Sequence, residues 1–116
     1  MRVVRLLGIG IGILLAGAAT TRGQAQDDAS ATFAQKCAMC HGKAGAGDGP
    51  AAVALTPKPP NFADPKVQAA VTDEALAAAI TNGKGSMPAY KEQLTPQAIK
   101  AMVAYLRTLA PSDTKR

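Results

Sequence analysis

Apolar residues are distributed along this chain in two different ways. Residues 6–19, LLGIGIGILLAGAA, form a nearly unbroken apolar run between a basic start, MRVVR, and a polar stretch, TTRGQAQDD. From residue 26 onward the pattern is helical or absent. Residues 30–40 place Phe33, Cys37 and Cys40 at i, i+4 and i+7, which predicts a first helix with Ser30 as N-cap, after an acidic, frayed start at residues 26–29. Residues 42–70 are rich in Gly and Pro (GKAGAGDGP, then TPKPPNFADP) and allow no long element beyond a turn around Ala51 to Leu55. A second helix is predicted from Asp73 to Asn82. Thr72 caps it, Asp73 and Glu74 complement its dipole, and Gly83 is suited to the left-handed position past its end. After the loop GKGSMPAYKEQL, Thr95 as N-cap and Pro96 as the first helical residue open a third helix running to Leu109, with Pro111 beyond. Its Ile99, Met102, Val103, Leu106 and Leu109 form one apolar stripe. No alternating β-branched run predicts a sheet, and there is no internal repeat. The expected fold class is all-α.

The apolar run near the start does not belong to this pattern. A basic n-region, a run too short to span a bilayer comfortably, and small residues (Gly23 and Ala25) at the −3 and −1 positions of a cut before Gln26 describe a cleavable signal peptide over residues 1–25. The alternative is an uncleaved membrane anchor, for which a spanning helix wants about 20 apolar residues. Cleavage leaves one domain, residues 26–116, in an exported compartment, the periplasm.

Cleavage also changes the charge. The chain has 13 basic and 8 acidic residues. Arg2, Arg5 and Arg22 leave with the signal, and the 10 basic residues that remain give a net charge of +2. That excess is too small for a nucleic-acid binder, and no basic block is interleaved with aromatics.

The remaining domain has four aromatic residues, Phe33, Phe62, Tyr90 and Tyr105, and no Trp. Much of its apolar content is alanine, which buries little area per residue. Domains of this size bury a modest fraction of their surface and often recruit a staple or cofactor.

The stretch CAMCH, residues 37–41, holds both cysteines and the single histidine of the chain. A disulfide across it would close a small, strained loop and constrain almost nothing. A structural zinc site needs four ligands, and no second cluster completes the set. A thioredoxin-like dithiol needs a βαβ context, which is absent. The remaining reading is C-x-x-C-H, the attachment site of a c-type haem. The two thiols add across the vinyl groups on one edge of the porphyrin, and the adjacent imidazole lies under the iron. The haem then fills the core that the alanine-rich chain lacks.

From residue 26 onward the chain resembles a small monohaem class I cytochrome c. The resemblance is carried by CAMCH, by Phe33 four residues before the first cysteine, by MVAYL (102–106) in the last helix, by CHGKAGAGDGPA and PNF (60–62), and by GKGSMPAY (83–90). It implies the cytochrome c fold: three main helices wrapped around one covalently attached haem c, with Phe33 packed against the segment 102–106. It implies an iron ligated by His41 and a methionine. Met1 leaves with the signal, Met39 is held on the histidine side between the two cysteines, and Met102 belongs to the apolar stripe. Met87 lies in a loop, and Pro88 biases it to an extended backbone from which its thioether can reach the iron. The other reading of Met87 is a residue that only covers the haem edge. The resemblance also implies that a proline carbonyl orients the iron-bound histidine, Pro60 or its neighbour Pro59. Tyr90 is a candidate partner of a haem propionate, or simply packs. Gly42, Gly45, Gly47 and Gly49 let the backbone pass close to the haem edge. Lys36, Lys43, Lys84 and Lys91 flank the two haem-bearing segments, as a docking ring or as a solvated face.

The expected function is therefore that of a one-electron carrier, a monomer and not itself an enzyme, shuttling electrons between redox protein partners. It meets a membrane only through those partners or an uncleaved signal. The alternative is a haem-binding sensor whose Met ligand detaches to admit a small molecule, and a non-haem dithiol protein is the third reading.

Overall fold

A computed structural model describes residues 21–112 of the chain. The apolar run of the expected signal peptide lies outside the described residues. The described chain forms α1 (Thr21–Lys36), α2 (Ala38–His41), α3 (Pro65–Ala70), α4 (Asp73–Asn82) and α5 (Pro96–Arg107), with a 3₁₀ turn at Pro50–Ala54 between α2 and α3. Among the described residues there is no strand. Extended pairing is limited to an isolated antiparallel bridge between Lys84 and Met87. The expected all-α class and the three main helices, α1, α4 and α5, are what the structure shows. No helix among the described residues is long and apolar enough to cross a membrane.

Local chemistry sets most of the helix starts. The Thr72 hydroxyl accepts from Ala75 N at 3.1 Å, and the Thr95 hydroxyl accepts from Ala98 N at 3.1 Å with Pro96 at the first helical position. Each side chain satisfies an amide that the helix leaves without a partner. Gly83 ends α4 as its C-cap with φ +77° and ψ 169°, a positive-φ backbone suited to glycine but not the left-handed helical conformation expected.

Three expectations are corrected. The first helix does not start at Ser30: α1 begins at Thr21 and runs through residues 26–29, which were expected to fray. Ala29 is buried within it, and the helix runs on through Ser30 without a break. The segment 42–70 is not free of regular structure. Asp64 accepts from Lys66 N at 2.8 Å, Pro65 takes the first helical position, and the short helix α3 follows. The last helix ends at Arg107 rather than Leu109, with Thr108 as C-cap.

The core lies where α5 meets α1 and α4. Ile99, Met102, Val103 and Leu106 of α5 are buried against Phe33, Ala38, Phe62, Leu76 and Ile80, and Leu109 is half-buried at its edge. Phe33 and Met102 are the most completely enclosed, each 2% exposed. Burial of a side chain of this size contributes about 1.5–3 kcal/mol.

A polar hub closes the other side of α5. Arg107 donates to the Gln68 carbonyl (2.6 Å), the Gln68 side-chain oxygen (2.9 Å), the Val71 carbonyl (2.7 Å) and Asp73 Oδ1 (2.7 Å). Gln68 Nε2 donates in turn to the carbonyls of Phe62 (2.8 Å) and Leu106 (2.7 Å). The irregular segment from Phe62 to Asp73 is thereby fastened to the end of the last helix. The bonds add to the packing of Phe62, Val67 and Val71 on the core, while α3 itself has no fully buried residue.

Candidate functional site

The helical turn that carries CAMCH continues α1 with a break at Cys37. Cys37 N donates to Phe33 O at 2.9 Å, and His41 N donates to Cys37 O at 2.9 Å. Both cysteines are free thiols. Among the described residues no group of three His, Cys, Asp or Glu side chains converges to hold a metal ion. Burial pushes the Cys37 thiol up to about 11, with Lys36 acting in the opposite direction and Cys40 adding to the rise. The thiol is therefore protonated at neutral pH. Addition to a vinyl group would convert it to a thioether that does not titrate.

The chain after His41 folds back on this turn. Gly47 N donates to His41 O at 2.8 Å, Gly49 N donates to Cys40 O at 3.2 Å, and Phe62 N donates to Gly45 O at 2.7 Å. Two glycines make this approach possible. Gly47, at φ +77°, lies so close to the Pro59 backbone that a Cβ would run into the Pro59 carbonyl oxygen, and it would stand 3.1 Å from the Pro60 oxygen. A Cβ at Gly49 would stand 2.6 Å from the Ala38 oxygen.

His41 is held between two rings. Its imidazole stacks on Phe62, with centroids 5.6 Å apart and planes 25° apart, and lies 6.5 Å from Phe33. Burial lowers its pKa from the ordinary value, so the ring is neutral at neutral pH, the form that ligates a metal. Its Nδ1 is buried and has no hydrogen-bond partner. Neither Pro59 nor Pro60 bonds to it in this structure, although Gly47 brings both carbonyls against the loop that follows the histidine.

Met87 is half-buried against the core. Lys84 N donates to Met87 O (3.0 Å) and Met87 N donates to Lys84 O (2.9 Å), with Gly85 at φ +57° inside the turn so closed. A Cβ at Gly83 would stand 2.6 Å from the Met87 oxygen, so the end of α4 and this turn are packed backbone to backbone. Tyr90 N donates to Ile80 O at 2.9 Å, which fastens the loop to α4. The Tyr90 hydroxyl donates to the Lys36 carbonyl at 3.1 Å, so the group expected to reach a propionate is engaged with backbone next to Cys37. Burial raises the Tyr90 pKa, with Cys37 and then Cys40 adding to the rise. Met102, in contrast, is enclosed in the core. Lys36, Lys43, Lys84 and Lys91 are all exposed, and Lys36 Nζ donates to Gln93 Oε1 at 3.2 Å.

The sequence singles out the CAMCH turn and the Met87 loop and carries no expectation of the stacking of Phe62 on His41. The segment PNF was the available signal, and nothing local pointed to the ring contact itself. The residues present fit a covalently tethered haem. Two free thiols and a neutral imidazole with an unpartnered buried nitrogen occupy one helical turn, and a thioether-bearing loop is tied to the residue before it.

An all-helical domain with this donor set is a small monohaem cytochrome domain of the c type. Residues 24–106 match the family described as cytochrome C oxidase, cbb3-type, subunit III, and the chain belongs to that family. It is 36% identical over 97 residues to the cbb3-type cytochrome c oxidase subunit FixP of a Bradyrhizobium species, a match that covers 82% of this chain and 31% of FixP. This chain thus spans about a third of the length of that relative. It is 34% identical over 83 residues to cytochrome c6 of a Nostoc species, covering 72% of this chain and 69% of that protein. Among solved structures it is similar to the KustC0563 c-type cytochrome, with a TM-score of 0.63 and 30% identity over 72% of this chain and 98% of that one. The family match and the c-type neighbours imply a covalently bound haem c as the cofactor.

Proposed function

We propose that this chain is an exported one-electron carrier whose haem is tethered by Cys37 and Cys40 and ligated by His41 and Met87. The observation that carries the reading is the double fastening of the Met87 turn: it closes on Lys84, and its loop reaches across to the Lys36 carbonyl beside the first cysteine. A thioether held in this way would be available as the second ligand beside His41. The haem supplies the one-electron Fe(III)/Fe(II) couple when bound. The residues of the chain do the rest. Cys37 and Cys40 would hold the group through thioether bonds, and the neutral His41 and Met87 would be its two protein ligands, a pair that would raise the potential and disfavour binding of a small ligand. The Pro60 carbonyl is the acceptor that would orient His41 through its unpartnered Nδ1, a reading supported by the packing of that carbonyl near Gly47.

Residues 1–25 act as the cleaved signal in this reading, and the mature domain works in the periplasm as a monomer between a redox donor and a redox acceptor. It carries out no catalysis of its own. The test is the reduced, purified protein under carbon monoxide. A filled sixth position gives an unchanged spectrum in the parent and rapid binding in Met87→Ala. Rapid binding by the parent overturns the electron-carrier reading in favour of a ligand-binding sensor.

A further inference from the structure

The break between α1 and α2 leaves a carbonyl in need of a donor. In a continuous helix Cys40 N would donate to Lys36 O, but here it donates to Cys37 O at 3.2 Å. The Lys36 carbonyl instead accepts the Tyr90 hydroxyl at 3.1 Å, from a residue 54 positions away. Tyr90 is held at its other end too. Its amide donates to Ile80 O at 2.9 Å, and its carbonyl accepts from Gln93 N (2.9 Å) and Leu94 N (2.8 Å). The link between Lys36 Nζ and Gln93 Oε1 runs in parallel with the hydroxyl bond. Met87 stands three residues before Tyr90, in the turn packed on Gly83.

We infer that Tyr90 is a positioning residue for Met87: its hydroxyl clasps the loop carrying the sixth ligand to the helix carrying the haem-bearing cysteines. The inference rests on the proposed ligation by Met87. Lasting loss of the thioether is favoured when residues 83–90 move away from α1, and the Tyr90–Lys36 bond beside the first cysteine opposes that motion. The bond joins two segments far apart in sequence, and it acts on loop opening rather than on the α1–α5 core. Loss of one such hydrogen bond should speed loop opening about 2- to 10-fold.

The experiment uses the haem-loaded protein and compares parent, Tyr90→Phe, Gln93→Ala and Met87→Ala. The readouts are the rate of carbon monoxide binding to the reduced form, the thermal loss of the methionine–iron absorption band in the oxidised form, and helix melting by circular dichroism. Tyr90→Phe should bind carbon monoxide about 2- to 10-fold faster than the parent and lose the band at a lower temperature, with helix melting nearly unmoved. Gln93→Ala should shift in the same direction by less. A parent-like rate in Tyr90→Phe, with Met87→Ala fast, overturns the clasp and leaves the ligand assignment standing. A fall in helix melting that matches the fall in the band also overturns it, because Tyr90 would then stabilise only the fold. A Met87→Ala variant no faster than the parent overturns the ligand assignment, and the clasp with it.

Discussion

The ring of Phe33 lies 5.4 Å from the ring of Tyr105, tilted by 55°, and joins the helix before the cysteines to the last helix. Tilted aromatic pairs of this kind contribute about 0.5–1.5 kcal/mol beyond the area they bury. Because Phe33 is also 2% exposed, Phe33→Ala should destabilise the haem-loaded protein by about 3–5 kcal/mol in denaturant titration. A loss below about 0.5 kcal/mol, as at a surface site, would contradict the packing described.

Attachment is tested by colour and extraction. The purified protein should be red and keep its haem through acid–organic extraction. Cys37→Ala and Cys40→Ala should each accumulate mainly as unstable apoprotein, since a core with two fully buried large side chains has little to collapse on without cofactor. Haem that extracts freely from the parent would end the c-type reading.

The two buried or half-buried methionines should behave oppositely. Met87→His should keep the iron six-coordinate and lower the potential, because imidazole supports ferric iron better than a thioether does. Met102→Leu exchanges similar volumes in an enclosed site, so it should leave spectrum and potential unchanged and cost under about 1.5 kcal/mol. Redox titration of both variants checks this, and a shift in Met102→Leu alone would show that the wrong sulfur has been assigned.

Arg107 separates geometry from charge. Its ion pair with Asp73 is largely exposed on the carboxylate side, so Asp73→Asn should cost under about 1 kcal/mol. Arg107→Ala removes the donors for the Gln68 and Val71 carbonyls as well and should cost about 1–3 kcal/mol. Arg107→Lys should recover little, because a single ammonium cannot reproduce the planar fork. Equal costs for Asp73→Asn and Arg107→Ala in thermal melts would reduce the hub to a salt bridge.

How far the fold could be read in advance depended on the range of the interactions involved. Thr72, Thr95 and Pro96 act within one helical turn, and the helices they start lie where the sequence places them. Asp64 and Pro65 carry the same signature, but the surrounding prolines and glycines read as loop and α3 was missed. At Ser30 a good capping residue lies inside a helix that starts earlier, at Thr21. The site divides in the same way. The contiguous CAMCH turn was legible as chemistry. The contact of Phe62 with His41 and the bond from Tyr90 to Lys36 join distant segments, and no local spacing encodes them.

The pairing of Phe33 with Tyr105 also bears on the order of events during synthesis. Among the described residues the cysteines lie just past the end of the first helix, whereas the surface that completes the core around Phe33 belongs to the last. Without α5, Phe33 lacks the ring of Tyr105 that it packs against in the folded protein. The Phe33–Tyr105 contact therefore forms only after the last helix is present, so this side of the core is the last part to close among the described elements.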